Sequence, residues 1–151
     1  GMKVLFTDPN VSPKDFPEYK KVSLEKLLRE SDAISLHIHL TKDTENLLAK
    51  KEFTQMKKGA VLINTSRGKI VNEKDLLAAL ENGHLSGYGA DVLADEIYFE
   101  TTGFKKHPLV EYAQTHRNLI IVPHIGGMTT DSRIATDLFI AEKLKKYFTK
   151  K

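Results

Sequence analysis

The sequence predicts an α/β fold built on a parallel β-sheet. Short apolar runs rich in β-branched residues alternate with amphipathic stretches along most of the chain. Near-continuous apolar strands separated by helices are typical of a parallel sheet that is covered by helices on both faces. The predicted strands are residues 3–7, 33–37, 60–64, 87–92 and 119–123.

Helix signals stand between these runs. Ser23 is a predicted N-cap for the segment SLEKLLRES, and Asn72 is a predicted N-cap for NEKDLLAALENG, which ends at Gly83 in the C′ position. The segment 129–148 has apolar residues at helical spacing, so we expect one stripe of this helix to pack against the sheet. That stripe consists of Ile134, Leu138, Ala141, Leu144 and Phe148.

Composition narrows the classes of function. The 151 residues, 40% hydrophobic and 28% charged, predict one globular domain with one core. The net charge of +3 comes largely from the lysine-rich end 143–151, with no basic stripe interleaved with aromatics, so nucleic acid is not an expected partner. No apolar run approaches 18 residues, and no signal peptide is expected. No membrane partner is therefore expected, and the absence of cysteine excludes disulfides and is compatible with a soluble protein of the reducing cytoplasm.

Asp8 ends the first apolar strand and has two interpretations. At this position of a dinucleotide-binding sheet, an acid accepts hydrogen bonds from the adenosine ribose and disfavours a 2′-phosphate. Alternatively, Asp8 forms a turn before Pro9. A glycine-rich G-x-G-x-x-G turn should precede such a strand, and none is present.

Three ionisable residues follow successive strands. Arg67, Glu96 and His124 come after the third, fourth and fifth predicted strands, whose carboxyl ends meet at one edge of a parallel sheet. The arginine fork suits a carboxylate, and histidine exchanges protons near neutral pH. A glutamate on the imidazole would hold its orientation. Together they suit oxidation of a 2-hydroxy acid, with a nicotinamide carrying the hydride.

Each of these residues also has a simpler interpretation. Arg67 could be a solvated or carbonyl-capping side chain, and the Pro-His-Ile-Gly-Gly segment around His124 could be an ordinary turn. Glu96 competes with Asp91 and Asp95 for the role of carboxylate partner to the histidine. No H-x-x-x-H helix or carboxylate cluster indicates a metal site. The histidines that belong to no catalytic or metal-binding pattern are His37, His39, His84, His107 and His116.

Three long segments carry a family resemblance. DAISLHIHLTKDTENLL, MKKGAVLINTSRGKIVNEKDLLAALENGHLSGYGADVL and NLIIVPHIGGMTTDS resemble successive signatures of the NAD-dependent D-isomer-specific 2-hydroxyacid dehydrogenases. The resemblance covers nearly the whole chain. It implies a Rossmann-type, doubly wound parallel sheet that lacks its first strand and glycine-rich turn. Residues 1–151 would then be a partial NAD-binding domain, without the N-terminal substrate domain and the first β-α unit.

The resemblance also implies roles for individual residues. Arg67 in NTSRG matches the substrate-binding arginine, His124 in PHIGG matches the catalytic acid/base, and Glu96 matches its carboxylate partner. NAD is the implied cofactor, a 2-hydroxy or 2-oxo acid is the implied substrate, and the complete enzyme is expected to be a homodimer. The implied cofactor contacts are Asp8, His37, Asn64, Thr65, Ser66, Asp91, Gly126 and Gly127.

The sequence departs from the family pattern at three places. His39 replaces a usual proline, and Asp95-Glu96-Ile97 replaces a usual glutamate-proline pair, so the choice of Glu96 depends on register. The absent strand usually lies at the centre of the sheet, and its loss leaves backbone groups on both flanks that need another partner. We expect this chain to be inactive by itself, because positioning contacts from the absent domain are worth many kcal/mol of the barrier. Two rival hypotheses are an NAD(H)-sensing module similar to dehydrogenase-like transcriptional corepressors, and an inert product of a truncated gene.

Overall fold

The strands form two parallel sheets in the computed structural model, which describes residues 1–98 and 107–149. A four-stranded sheet has the order β3-β4-β5-β6, and β1 pairs with β2 in a small second sheet. All pairings are parallel, which confirms the predicted α/β class. The strands are β1 (Leu5–Phe6), β2 (Lys20–Lys21), β3 (Ala33–Leu36), β4 (Ala60–Asn64), β5 (Leu85–Ala90) and β6 (Leu119–Ile121).

The first predicted strand does not join the main sheet. Its central residues Leu5 and Phe6 pair with Lys20 and Lys21, and no strand in the described ranges links β1 to β3. Sequence analysis missed β2 because two lysines carry no apolar pattern.

Helices connect the strands as the sequence indicates. They are α1 (Leu24–Glu30), α2 (Lys50–Gln55), α3 (Glu73–Glu81), α4 (Pro108–Thr115) and α5 (Thr130–Thr149). Ser23 Oγ accepts a hydrogen bond from Lys26 N, and the Asn72 side chain accepts one from Asp75 N, so both N-caps are confirmed. Gly83 has a φ of 69°, the left-handed conformation that helix ends favour. Helices α2 and α4 were not predicted.

One core holds these elements together. Helices α1 to α4 contact one another in sequence order, and their apolar faces bury side chains against the four-stranded sheet. On the other face of that sheet, Ile63 and Ile120 are exposed. The expected helix cover of both faces is therefore absent at these two positions. The largest fully buried side chains include Leu28, Phe53, Leu62, Leu76, Leu85 and Leu109.

The prediction that the last helix packs on the sheet is wrong. No residue of α5 is buried, and Ile134, Leu138 and Phe148 are each more than half exposed. Helical spacing identifies an apolar stripe, but it does not supply a surface for the stripe to contact. None of the helices in the described part of the chain is both long enough and apolar enough to span a membrane.

Candidate active site

The carboxyl ends of β4, β5 and β6 lie side by side. Asn64 at the end of β4 is in register with Ala90 at the end of β5, and Ala90 is in register with Ile121 at the end of β6. The polar segments that follow these strands therefore start from one edge of the sheet. This is the arrangement expected from parallel strands, and it is where open α/β sheets bind ligands.

Glu96 and His124 form a hydrogen-bonded pair at this edge. His124 Nδ1 lies 2.6 Å from Glu96 Oε1, and Glu96 Oε2 accepts a hydrogen bond of 3.0 Å from Leu93 N. An ionised carboxylate only accepts, so Nδ1 carries the proton, and Nε2 is the ring nitrogen left to exchange a proton with a ligand. Both side chains line a cavity of about 790 Å³.

The pairing identifies which carboxylate contacts the histidine. Asp95 instead forms an ion pair with Lys69 at 2.8 Å, and Asp91 bonds backbone amides. Glu96 is therefore the acid that bonds the imidazole, as the resemblance in sequence implied. Its catalytic role stays a prediction.

Arg67 follows β4 in an extended conformation and is exposed. Its NH1 donates a hydrogen bond of 2.6 Å to Ser66 O, and no carboxylate pairs with it among residues 1–98 and 107–149. A guanidinium without an internal acid is available to an anionic ligand.

Gly68 connects Arg67 to the Glu96 segment. A side chain at Gly68 would collide with the backbone of Leu93 and Ala94, so the two segments lie in direct backbone contact. Glu96 bonds Leu93 N, and His124 bonds Glu96. Backbone contact and hydrogen bonds thus link all three predicted catalytic residues in one continuous region.

Hydrogen bonds of buried side chains stabilise the Asn64-Thr65-Ser66 turn. Asn64 is fully buried, where Oδ1 accepts from Ser66 N and Nδ2 donates to Arg67 O, each over 3.0 Å. Ser66 Oγ donates to Leu36 O over 2.8 Å and accepts from Ile38 N, which ties the ends of β3 and β4 together. Thr65 is exposed. The structure thus gives Asn64 and Ser66 structural bonds, and their predicted cofactor contacts stay predictions.

Asp91 and the glycines after His124 form a second turn. The Asp91 side chain is only 6% exposed and accepts hydrogen bonds from Ile125 N and Gly126 N. A side chain at Gly126 would meet the Asp91 carboxylate, whereas Gly127 faces open space. The sequence reasoning assigned Asp91 to the cofactor and missed this backbone contact.

Asp8 and His37 lie at the ends of β1 and β3. Asp8 Oδ1 accepts a hydrogen bond of 2.7 Å from Asn10 N, which is the turn that the alternative interpretation described. His37 Nε2 lies 2.8 Å from Ser35 Oγ, and its side chain is exposed. His37, Ser66 and Arg67 line a second cavity of about 480 Å³. The ribose role of Asp8 and the cofactor role of His37 remain predictions.

A pair that sequence analysis missed joins the N-cap of α4 to the start of α3. His107 Nε2 lies 3.0 Å from Glu73 Oε2, and Glu73 Oε1 accepts a hydrogen bond of 2.7 Å from Ala94 N. The available signal was an acid directly after the N-cap Asn72. Part of the long irregular segment 93–107 lies outside the described residues.

A buried tyrosine lies beneath the site. Burial raises the pKa of Tyr88 well above its usual value, a hydrogen bond with Asn64 opposes this shift, and the charge of Glu73 adds to it. Tyr88 therefore stays protonated at neutral pH and supports the Asn64 turn as a neutral phenol.

The described residues offer a cavity of ligand size at the strand ends, but not the phosphate-binding turn of a dinucleotide site. The cavity beside His37 and Ser66 lies beyond strand ends and falls within the usual size range for small ligands. The glycine-rich turn that binds the phosphates in such sheets is not in this sequence. Among the described residues, no three histidine, aspartate or glutamate side chains group in a way that could hold a metal ion.

Comparison with known proteins identifies the family. Residues 1–126 match the family model described as D-isomer specific 2-hydroxyacid dehydrogenase, NAD binding domain. The chain is 37% identical over 146 residues to glyoxylate reductase from Thermococcus litoralis, covering 95% of this chain and 41% of that protein. It is 40% identical over 132 residues to glycerate dehydrogenase from Methylorubrum extorquens, covering 87% of this chain and 38% of that protein.

Solved structures give the same result. D-2-hydroxyisocaproate dehydrogenase superposes with a TM-score of 0.90 at 30% identity, covering 98% of this chain and 46% of the other. D-lactate dehydrogenase from Aquifex aeolicus, complexed with NAD and lactic acid, gives 0.83 at 37% identity, covering 99% and 47%. The chain thus spans less than half the length of these relatives. It belongs to the family of NAD-binding domains of the D-isomer specific 2-hydroxyacid dehydrogenases.

Proposed function

We propose that this chain is the cofactor-binding part of an NAD-dependent dehydrogenase for D-2-hydroxy acids. The observation that carries the proposal is the Glu96–His124 pair at the edge of the sheet where Arg67 also lies. The reaction is a hydride transfer between nicotinamide and C2 of a 2-hydroxy or 2-oxo acid. The nicotinamide supplies the hydride when bound.

His124 handles the proton in this mechanism. In the reducing direction, Nε2 of the imidazolium donates its proton to the oxygen on C2, and in the oxidising direction it accepts the proton back. Glu96 keeps Nδ1 protonated and aims the ring, over a distance of 2.6 Å. Its negative charge compensates the positive charge of the imidazolium.

Arg67 holds the substrate. Its guanidinium binds the carboxylate of the acid through two parallel hydrogen bonds, and its charge polarises the neighbouring carbonyl. When NAD is bound, Asp8 would hold the adenosine ribose, His37 and the 64–66 turn would contact the cofactor, and Asp91, Gly126 and Gly127 would hold its nicotinamide end. The absence of an internal acid partner for Arg67 in the described residues supports this role.

Small 2-oxo acids are the proposed substrates, because the similar proteins include a glyoxylate reductase and a glycerate dehydrogenase. The complete enzyme is proposed to be a cytoplasmic homodimer. The chain by itself is proposed to be inactive, because positioning groups that supply several kcal/mol of the barrier reduction come from other parts of such enzymes.

The test measures turnover in a complete dehydrogenase that contains this chain, with NADH and a panel of 2-oxo acids. His124→Ala is expected to lower kcat by about 10²- to 10⁴-fold, the usual contribution of a general acid, while NADH binding persists. Arg67→Ala is expected to lower kcat/KM by about a hundredfold or more through the lost carboxylate bonds.

Arg29→Ala is the matched control, since this arginine lies on α1 and pairs with Glu25 on the surface. Unchanged turnover in either site variant would contradict the assignment. NADH binding without turnover in the unmodified enzyme would instead favour the NAD(H)-sensing alternative.

A further inference from the structure

Both oxygens of the Asp91 carboxylate accept hydrogen bonds from one backbone turn. Asp91 directly follows β5, and its Oδ1 accepts from Ile125 N over 2.7 Å while Oδ2 accepts from Gly126 N over 2.9 Å. The residue is 6% exposed. A buried carboxylate needs strong hydrogen bonds to offset its lost hydration, and two charge-assisted bonds to adjacent amides provide them.

The turn is shaped to receive this carboxylate. A Cβ atom at Gly126 would lie 2.7 Å from Asp91 Oδ2, so only glycine allows the amide to approach. The backbone of Asp91 is also fixed, because its N–H donates to Asn64 O over 3.0 Å. Both ends of the contact are therefore anchored, one to the sheet and one to the segment after β6.

His124 lies immediately before this turn in an unfavourable backbone conformation. Its φ is 52°, in the left-handed region that residues with a Cβ rarely adopt, so surrounding contacts must hold it there. On one side, His124 N donates to Val122 O over 3.0 Å. On the other side, the Asp91 bonds hold the next two amides. The conformation directs the imidazole towards Glu96, 2.6 Å away.

We propose that Asp91 is a positioning residue that acts through the Ile125 and Gly126 amides to hold His124 against Glu96. This role adds to the cofactor contact proposed for Asp91, because each carboxylate oxygen has a second lone pair that can accept another hydrogen bond. The structural part of the inference stands on the hydrogen bonds alone, and the catalytic part rests on the proposed function.

The structural part is tested by amide hydrogen exchange in the purified chain. Asp91→Asn keeps the side-chain volume but offers one acceptor oxygen for two amides. We expect the Ile125 and Gly126 amides to exchange about tenfold faster or more, while the Tyr88 amide in β5 keeps its rate. Asp95→Asn is the matched control, because Asp95 is an exposed carboxylate on the same segment that pairs with Lys69.

Two results would overturn the structural part. One is unchanged exchange at Ile125 and Gly126 in Asp91→Asn. The other is faster exchange spread equally over the whole sheet, which would make Asp91 a general stabilising residue. Gly126→Ala is a second variant that keeps the aspartate at position 91. It is expected to speed exchange at the same two amides.

The catalytic part is tested in a complete dehydrogenase that contains this chain. Asp91→Asn is expected to lower kcat by about a hundredfold through misplacement of His124, a larger effect than any rise in the KM for NADH. A raised KM for NADH with an unchanged kcat would overturn positioning and leave cofactor contact as the role of Asp91. Absence of turnover in the unmodified enzyme would refute the proposed function, whereas the amide exchange result would still decide the role of the carboxylate.

Discussion

Substitution of Gly68 by alanine tests the contact that joins Arg67 to the Glu96 segment. An added Cβ would overlap three backbone atoms, Leu93 C, Leu93 O and Ala94 N. Backbone atoms cannot rotate aside as a flexible side chain can. One of the two segments must therefore move, and with it either Arg67 or the backbone amide that holds Glu96.

The expected cost follows from this overlap. Overpacking by one methyl group usually costs about 1 to 3 kcal/mol when side chains can adjust. Since only backbone can adjust here, we expect Gly68→Ala to lower the free energy of unfolding by about 3 kcal/mol or more. Gly89→Ala is the matched control, because its Cβ would meet only Ile63 Cγ1 at 3.9 Å, an ordinary contact.

Urea unfolding followed by circular dichroism measures the difference. The midpoint and slope together give the free energy of unfolding for each variant. If Gly68→Ala stays within about 0.5 kcal/mol of the unmodified protein, the two backbones are not in contact, and the inferred link between Arg67 and Glu96 is wrong.

Five other substitutions test the core, the last helix, the α1 cap and the buried phenol. Leu76→Ala is expected to cost about 2 to 5 kcal/mol because Leu76 is fully buried, whereas Leu138→Ala, 61% exposed on α5, is expected to change stability by less than about 0.5 kcal/mol in the same urea assay. Ser23→Ala is expected to cost about 1 kcal/mol through loss of the α1 cap, and a thermal melt that does not shift would contradict the capping bond. Above pH 10, unfolded Tyr88 releases a proton that the native state retains, so stability falls with rising pH by about 1.4 kcal/mol per unit. Tyr88→Phe should remove that part of the slope, and the exposed Tyr147→Phe should not; equal slopes in both variants would refute the buried phenol.

The sequence by itself determined the local features. Apolar runs located β3 to β6, Ser23 and Asn72 located two helix starts, and Gly83 located a helix end. These features depend on backbone hydrogen bonds and side-chain periodicity within a few residues. The order of strands also placed Arg67, Glu96 and His124 after neighbouring strand ends, because parallel strands end at the same edge.

Tertiary structure decided the contacts between distant segments. Only the fold shows that Glu96, rather than Asp91 or Asp95, bonds His124, and that Asp91 bonds the next turn instead. Three carboxylates within six positions look equivalent in sequence. The path of the backbone gives them different partners, and this path is set by contacts between residues 28 to 35 positions apart along the chain.

The same reason explains the exposed helix α5 and the small sheet of β1 and β2. The apolar stripe of α5 was visible as a pattern, but burial requires a facing surface, and no residue of α5 is buried. The pairing of Leu5 with Lys20 was invisible, because a two-residue strand of lysines has no periodicity to detect. Periodicity is a property of one segment, whereas burial and pairing are properties of two segments that meet in space.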